Sequence, residues 1–138
     1  MENLNGTESE YLLQSSVEDL HQVSTYWLSE IEFYKTELNF FQDLLDKHCP
    51  KINSPEDKKQ LDHFQNLIIY YNGELLDEYN RKVRKHTKRI SRIMDEGPTF
   101  EDFSYREEHK LLGDQMSSIG KRLQEYKVEL FEFIQTIW

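Results

Sequence analysis

Three of the five histidines in this chain fall where their side chains could meet. His86 and His109 both lie in apolar helical stripes, and His21 lies one residue after a stripe position. Imidazole nitrogens, with Glu18 nearby, are ligands that a transition metal such as Zn²⁺ accepts. The alternative is a buried polar layer in which imidazoles hydrogen bond to carboxylates. The sequence favours that layer, because it lacks the paired Glu-x-x-His motifs of di-iron bundles and the His-x-x-x-His motif of zinc proteases.

His109 suggests a second chemistry. His109 with Gly113 resembles the phosphorylated segment of histidine phosphotransfer domains, which are acidic helical bundles. The resemblance implies a histidine that carries a phosphoryl group. Leu112 stands where that family has a lysine, and His109 falls on an apolar seam rather than on a solvated face. A metal-binding or phosphoryl-carrying bundle is therefore the alternative function.

A run of basic residues offers a different kind of site. Twelve consecutive positions contain no acidic residue and seven of the 17 lysines and arginines: Arg81, Lys82, Arg84, Lys85, Lys88, Arg89 and Arg92. Since the net charge is -9, the rest of the chain carries -16. One interpretation is internal neutralisation by Glu18, Asp19, Glu107, Glu108 and Asp114, and it is the simpler one. The other is a protein-binding surface made of Arg81, Lys82, Lys85, Lys88, Arg89 and Arg92.

The net charge and the small apolar stripe limit the classes of partner that such a surface could bind. A pI near 5.0 repels polyanions, and no aromatic residue inside the basic run could stack on bases. The apolar stripe Val83, Ile90 and Ile93 is too small to anchor the chain in a membrane. We therefore expect a protein partner or self-association, and neither nucleic acid nor a membrane.

Positive signals for catalysis are missing from the sequence. It contains no glycine-rich phosphate loop, and no Ser/His/Asp arrangement is visible from spacing. The single Cys49 cannot form an internal disulfide, and the N-terminus does not resemble a signal peptide. The sequence predicts a cytoplasmic, non-enzymatic interaction or assembly module without a cofactor.

Long helices must position these residues. The central segment begins at Ser54-Pro55, with an N-cap hydroxyl followed by proline, and ends at Gly97, where glycine can adopt the left-handed conformation. Between these ends, three- and four-residue steps place apolar and aromatic residues on one stripe. The predicted members are Leu61, Phe64, Ile68, Tyr71, Leu75, Tyr79, Val83, His86, Ile90 and Ile93.

Two further helices show the same periodicity. A first helix, beginning at a capping box at Thr7 or Ser15, carries Val17, Leu20, Ser24, Trp27, Ile31, Tyr34, Leu38, Phe41, Leu45 and His48. We expect Leu28, Phe33, Phe40 and Leu44 to widen its apolar stripe. A third helix from Ser104 carries Tyr105, His109, Leu112, Met116, Ile119, Leu123, Tyr126, Leu130, Phe133 and Ile137, while Gly113 and Gly120 leave room for close approach.

These patterns predict an all-α, antiparallel up-down-up bundle of three long helices with coiled-coil-like packing. Residues 1–6 are predicted to be disordered, and 7–138 to form a single domain. Leu67–Leu76 allows an alternative, because β-branched and aromatic residues run into Asn72-Gly73, a favoured hairpin turn. Helical periodicity on both sides favours a helix, and a break at Asn72-Gly73 would give four helices.

Short connections fix which residues should face each other. Extrapolation from the loop midpoints pairs the first and central helices where residue numbers sum to about 104, and the central and third helices where they sum to about 196. This places His86 opposite His109, and His21 opposite Val83. The half near the first connection should hold an aromatic core that includes Phe33 and Phe40.

Overall fold

A computed structural model describes residues 16–97, 99 and 104–137. It contains α1 (Val17–His48), a 3-10 turn (Cys49–Lys51), α2 (Pro55–Tyr70), a π-helical turn (Tyr71–Leu75), α3 (Leu76–Glu96) and α4 (Tyr105–Ile137). The described residues include no strand, so the predicted all-α class is confirmed. The predicted disorder of residues 1–6 and the possible helix start at Thr7 lie outside the described residues.

Ser54 and Gly97 cap their helices as predicted, whereas α1 is capped by Ser16, one residue after the predicted Ser15. The Ser16 hydroxyl accepts a hydrogen bond from the Asp19 amide at 3.1 Å, and the Ser54 hydroxyl accepts one from the Asp57 amide at 3.0 Å. At the end of α3, Gly97 has a φ of 82°, and its amide donates to the Ile93 carbonyl at 2.8 Å. These caps satisfy backbone groups that helix ends otherwise leave without partners.

The contacts group into two compact units. Among the described residues, unit 1 contains 16–29 together with those between Arg81 and Ser117, and unit 2 contains Glu30–Asn80 together with 118–137. In unit 2, α1 runs antiparallel to the central run, with Lys35 facing Asp77, Asn39 facing Asn72 and Asp46 facing Gln65. It runs parallel to α4, with Glu37 facing Lys127 and Phe41 facing Phe131. The predicted up-down-up order is confirmed.

The Asn72-Gly73 region is neither a hairpin nor a break. Tyr70, Tyr71 and Leu76 all have right-handed helical dihedral angles, and the Leu76 amide donates to the Tyr71 carbonyl five residues back. Such a π turn inserts one extra residue into a helix that otherwise continues. Helical conformation therefore runs from Pro55 to Glu96.

The π turn also corrects the predicted apolar stripe. Leu76 is fully buried, whereas the predicted Leu75 is only half-buried. A five-residue step from Tyr71 to Leu76 and a three-residue step from Leu76 to Tyr79 replace the two predicted four-residue steps through Leu75. Outside the five-residue step, the steps then alternate between three and four residues. The wider π turn thus accommodates the extra residue, so that the apolar stripe stays at buried positions before and after it.

The π turn leaves the Asn72 carbonyl available to another helix. Lys35 donates to this carbonyl at 2.8 Å, and its ammonium also contacts the Asp77 carboxylate at 2.5 Å. The Asn72 side-chain amide donates to Asn39 Oδ1 at 2.8 Å. Two of these contacts join α1 to the turn, and the third joins it to Asp77 at the start of α3, so side chains support the irregular backbone.

The core of unit 2 is aromatic, as the sequence predicted. Phe64 packs against Tyr126 and stacks on Phe133, and the buried Tyr126 hydroxyl donates to the Phe64 carbonyl at 2.9 Å. Phe33 and Phe40 were predicted to belong to this core, and that prediction is wrong. They are 61% and 60% exposed, because they lie on the side of α1 opposite the buried Ile31 and Leu38.

Candidate interaction surface and buried histidine pair

His86 and His109 meet in the buried part of unit 1. α3 places His86 in its apolar stripe between Val83 and Ile90, and α4 places His109 one turn before Leu112. The two side chains are 1% and 4% exposed, and His86 Nε2 lies 3.1 Å from His109 Nδ1. The antiparallel register that the sequence predicted for these helices therefore holds at the histidine pair.

The hydrogen bonds determine the protonation of the pair. His86 Nδ1 lies 2.6 Å from Glu108 Oε1, and a carboxylate accepts, so Nδ1 of His86 carries a proton. In the neutral ring Nε2 then accepts the hydrogen bond that His109 Nδ1 donates. Arg89 donates to the same Glu108 oxygen at 3.1 Å. A chain of hydrogen bonds thus leads from a partly exposed carboxylate to the buried His109.

Burial keeps both imidazoles neutral near pH 7. It lowers the pKa of His109 to about 4, and His86 and Arg106 act in the same direction. Burial also lowers the pKa of His86, and Arg89 adds to this effect, whereas the hydrogen bond and the charge of Glu108 oppose it. The pair is the buried polar layer that the sequence favoured.

Trp27 completes this cluster from α1. Its ring stacks on His109, with centroids 4.6 Å apart and planes inclined by 28°. Gly113 lies against the same indole, since a Cβ atom there would stand 3.3 Å from Trp27 Cζ2. The predicted close approach at Gly113 is therefore a Trp27 contact, one helical turn after His109.

His21 is not brought into the cluster. Ser24 of α1 faces Thr87 of α3 at 3.1 Å, so facing residue numbers in unit 1 sum to 111 rather than to about 104. This register places His21 near the level of Ile90, one turn beyond His86. The 3-10 turn at Cys49–Lys51 explains part of the offset, because it continues the helical rise after α1.

Neither chemistry suggested for the histidines finds support in the geometry. Among the described residues, no group of three or more His, Cys, Asp or Glu side chains is placed to hold a metal ion. His109 is buried against Trp27, and its Nδ1 is hydrogen bonded to His86. A histidine that accepts and donates a phosphoryl group needs a ring nitrogen that the donor can reach.

The six basic residues of the predicted surface divide into two groups. Arg89 is partly buried and binds Glu108 and Ser104, so internal neutralisation is confirmed for this side chain. Lys82 and Arg92 also make contacts of their own. Asp114, a predicted neutralising residue, pairs with Lys110 of its own helix at 3.2 Å instead.

The other three basic residues form an outward-facing stripe. Arg81, Lys85 and Lys88 are exposed and have no ion pair or hydrogen bond within the part of the chain that the structure describes. Their spacing of four and three residues places them on the side of α3 opposite the buried Val83 and His86. We call these three side chains the basic stripe.

An exposed leucine lies beside the basic stripe. Lys82 and Lys85 line a shallow groove together with Glu108, Leu111, Leu112 and Gln115 of α4. Leu111 is 64% exposed, whereas the adjacent Leu112 is buried in the core of unit 1. Leu111 was not among the predicted surface residues, although two adjacent apolar residues on a helix cannot both occupy a narrow stripe.

Comparisons with known proteins leave the family open. The chain matches no family model, and no curated protein or solved structure is significantly similar to it. No helix of the described residues combines the length and the apolar character needed to cross a membrane.

Proposed function

We propose that this protein is a non-enzymatic interaction or assembly module that binds an acidic protein surface through the basic stripe. The observation that carries the proposal is the exposure of Arg81, Lys85 and Lys88, without ionic partners among the described residues, in a strongly acidic chain. Basic patches of this kind steer acidic partners and select against basic ones. A cytoplasmic location belongs to this proposal.

Leu111 gives the surface an apolar component. A protein interface usually combines an apolar centre with a polar rim, and exposed ion pairs alone contribute only about 0.2–1 kcal/mol each. The groove beside Lys82 and Lys85 supplies both kinds of contact within unit 1. We therefore expect the partner to present an apolar side chain flanked by carboxylates.

Charge reversal of the stripe tests the proposal. The variant R81E/K85E/K88E should lose partners that the immobilised wild-type protein captures from its native cell extract. A matched control, K58E/K59E/K121E, changes the net charge equally at three exposed lysines outside the stripe and should retain them. Equal capture by wild type and the stripe variant, with both proteins folded by circular dichroism, would show that the stripe is not the binding surface.

A further inference from the structure

A second exposed surface has the properties that the basic stripe requires of its partner. Phe33 and Phe40 of α1 are 61% and 60% exposed, and Phe131 of α4 is 47% exposed, all within unit 2. Phe40 packs edge-to-face against Phe41 at 5.8 Å, and Phe41 packs edge-to-face against Phe131 at 5.6 Å. These contacts connect two of the exposed rings, and Phe33 lies two helical turns from Phe40. We call Phe33, Phe40 and Phe131 the aromatic patch.

Carboxylates surround the aromatic patch on α1. Glu30 and Glu37 lie three residues before Phe33 and Phe40, respectively, and Asp43 lies three residues after Phe40. Residues three or four positions apart are neighbours on a helix surface. Glu37 binds Lys127 of α4 at 3.3 Å, and Asp43 is exposed. The patch is thus an apolar centre with a mainly acidic rim.

We infer that the partner of the basic stripe is a second copy of this chain, which binds through its aromatic patch. This inference rests on the proposed function, because it uses the same basic stripe. The stripe from Arg81 to Lys88 and the patch from Phe33 to Phe40 each span seven residues, about 10 Å of helix. Leu111 provides the apolar contact for the exposed rings, and the three cations face the acidic rim.

The two surfaces complement each other in charge and in apolar character. Exposed aromatic residues on a solvated helix are the usual anchors of protein interfaces, and charge complementarity selects the partner. Since each copy carries both surfaces, two copies can form two equivalent contacts in a closed dimer, or one contact each in a longer assembly. Either arrangement makes the measured mass depend on protein concentration and on salt.

A charge exchange between the two surfaces tests the inference. In the first variant, R81E/K85E/K88E, the stripe becomes acidic. In the second variant, T36K/D43K, two exposed positions beside Phe33 and Phe40 become basic. Each variant alone should repel its own copies and sediment as a monomer. An equimolar mixture should associate, because the acidic stripe of one variant now faces the basic patch of the other.

The controls separate charge at these surfaces from general effects. Wild-type protein should associate at low ionic strength, with an apparent Kd at least about tenfold lower than that of either variant. The control K58E/K59E/K121E should associate like the wild type. The variant F33S/F40S, which removes only exposed rings, should be monomeric at any salt concentration. Circular dichroism establishes whether each variant folds. If F33S/F40S does not fold, T36K/D43K still tests the aromatic patch.

The outcomes distinguish this inference from the proposed function. Sedimentation of wild-type protein as a monomer at all concentrations, or a mixture that does not associate, would overturn the second copy as partner. If capture of another protein still depends on the basic stripe, the proposed function stands and the partner is that protein. If R81E/K85E/K88E self-associates and captures other proteins as the wild type does, both proposals fail. Capture of nucleic acid through the stripe would also contradict the inference.

Discussion

At the scale of single residues, the most informative feature is a histidine pair that the protein keeps neutral. Protonation of His109, at its Nε2, would place a charge in the core beside Trp27, where burial makes the charged form unfavourable. Because the pKa of His109 is about 4 in the folded protein and about 6.5 in an unfolded chain, the unfolded chain binds more protons between these values. The free energy of unfolding is therefore unaffected by His109 above about pH 6.5, and it decreases as the pH falls from there towards 4.

The substitution His109→Gln should remove most of this pH dependence. We expect wild-type protein to lose on the order of 2 kcal/mol of unfolding free energy between pH 7 and pH 4.5 from this group, a figure reduced for solvent screening. Urea denaturation at several pH values measures the slope, with the exposed His63→Gln as the control. An unchanged slope in His109→Gln would show that other groups cause the acid sensitivity.

Two helical glycines provide a matched pair of substitutions. A Cβ atom at Gly73 would have no heavy atom within 4 Å, whereas one at Gly113 would lie 3.3 Å from Trp27. Gly73→Ala should therefore stabilise the protein by about 0.5–1 kcal/mol, the usual difference in helix propensity. Gly113→Ala should stabilise the protein less than Gly73→Ala does, or destabilise it. It should also shift the fluorescence emission of Trp27, measured in a Trp138→Phe background. Equal gains and unchanged emission would mean that the indole does not depend on Gly113.

At the scale of elements, caps and apolar stripes were predictable because each depends on local chemistry. Ser54 caps the start of α2 and Gly97 follows the end of α3, and both can be recognised from the residues next to them. The apolar stripes of α1 and α4 follow a regular period. The π turn was not predictable, because a single inserted residue is stabilised by Lys35 of a different helix. The sequence contained only an indirect signal, the repeated four-residue steps around Leu75.

Deletion of Gly73 should convert the π turn into an ordinary α-helical turn. The step from Tyr71 to Leu76 would become four residues, so both halves of the stripe would still face the core. Thermal unfolding should remain cooperative, with a melting temperature close to that of wild-type protein. Deletion of Gln124 in α4, which has no π turn, rotates all later residues by about 100° and should abolish cooperative unfolding. Equal damage from both deletions would contradict this account.

At the scale of the molecule, the candidate site was predicted only in part, because the sequence does not determine the exact register between helices or which apolar side chains are exposed. His86 and His109 were placed together correctly, whereas His21 was misplaced because the first connection does not reverse the chain symmetrically. Phe33 and Phe40 were expected inside because they are apolar, but only the position of a residue around the helix decides which side it occupies. Binding surfaces are difficult to recognise from sequence, because their exposed apolar residues are of the same types as the buried residues of a core.

The two units should also differ in local stability. Unit 1 buries the Trp27 ring and three polar side chains, Ser24, His86 and His109, among the described residues. Unit 2 buries one polar side chain, His48, and a cluster of four rings, Phe64, Tyr71, Tyr126 and Phe133. Large buried rings contribute more to stability than a polar layer, whose hydrogen bonds largely replace those made to water. Segments with lower local stability open more often and exchange their amide hydrogens sooner.

Hydrogen exchange along α4 tests this difference within one helix. Peptides from 105–117 should exchange faster than peptides from 119–133, after correction for intrinsic rates. Lowering the pH from 7.5 to 5 should widen the gap in wild-type protein and leave it nearly constant in His109→Gln, because only the former can gain a proton at this position. Equal protection along α4 at both pH values would mean that the helix opens only in global unfolding, and that the histidine pair has no local effect.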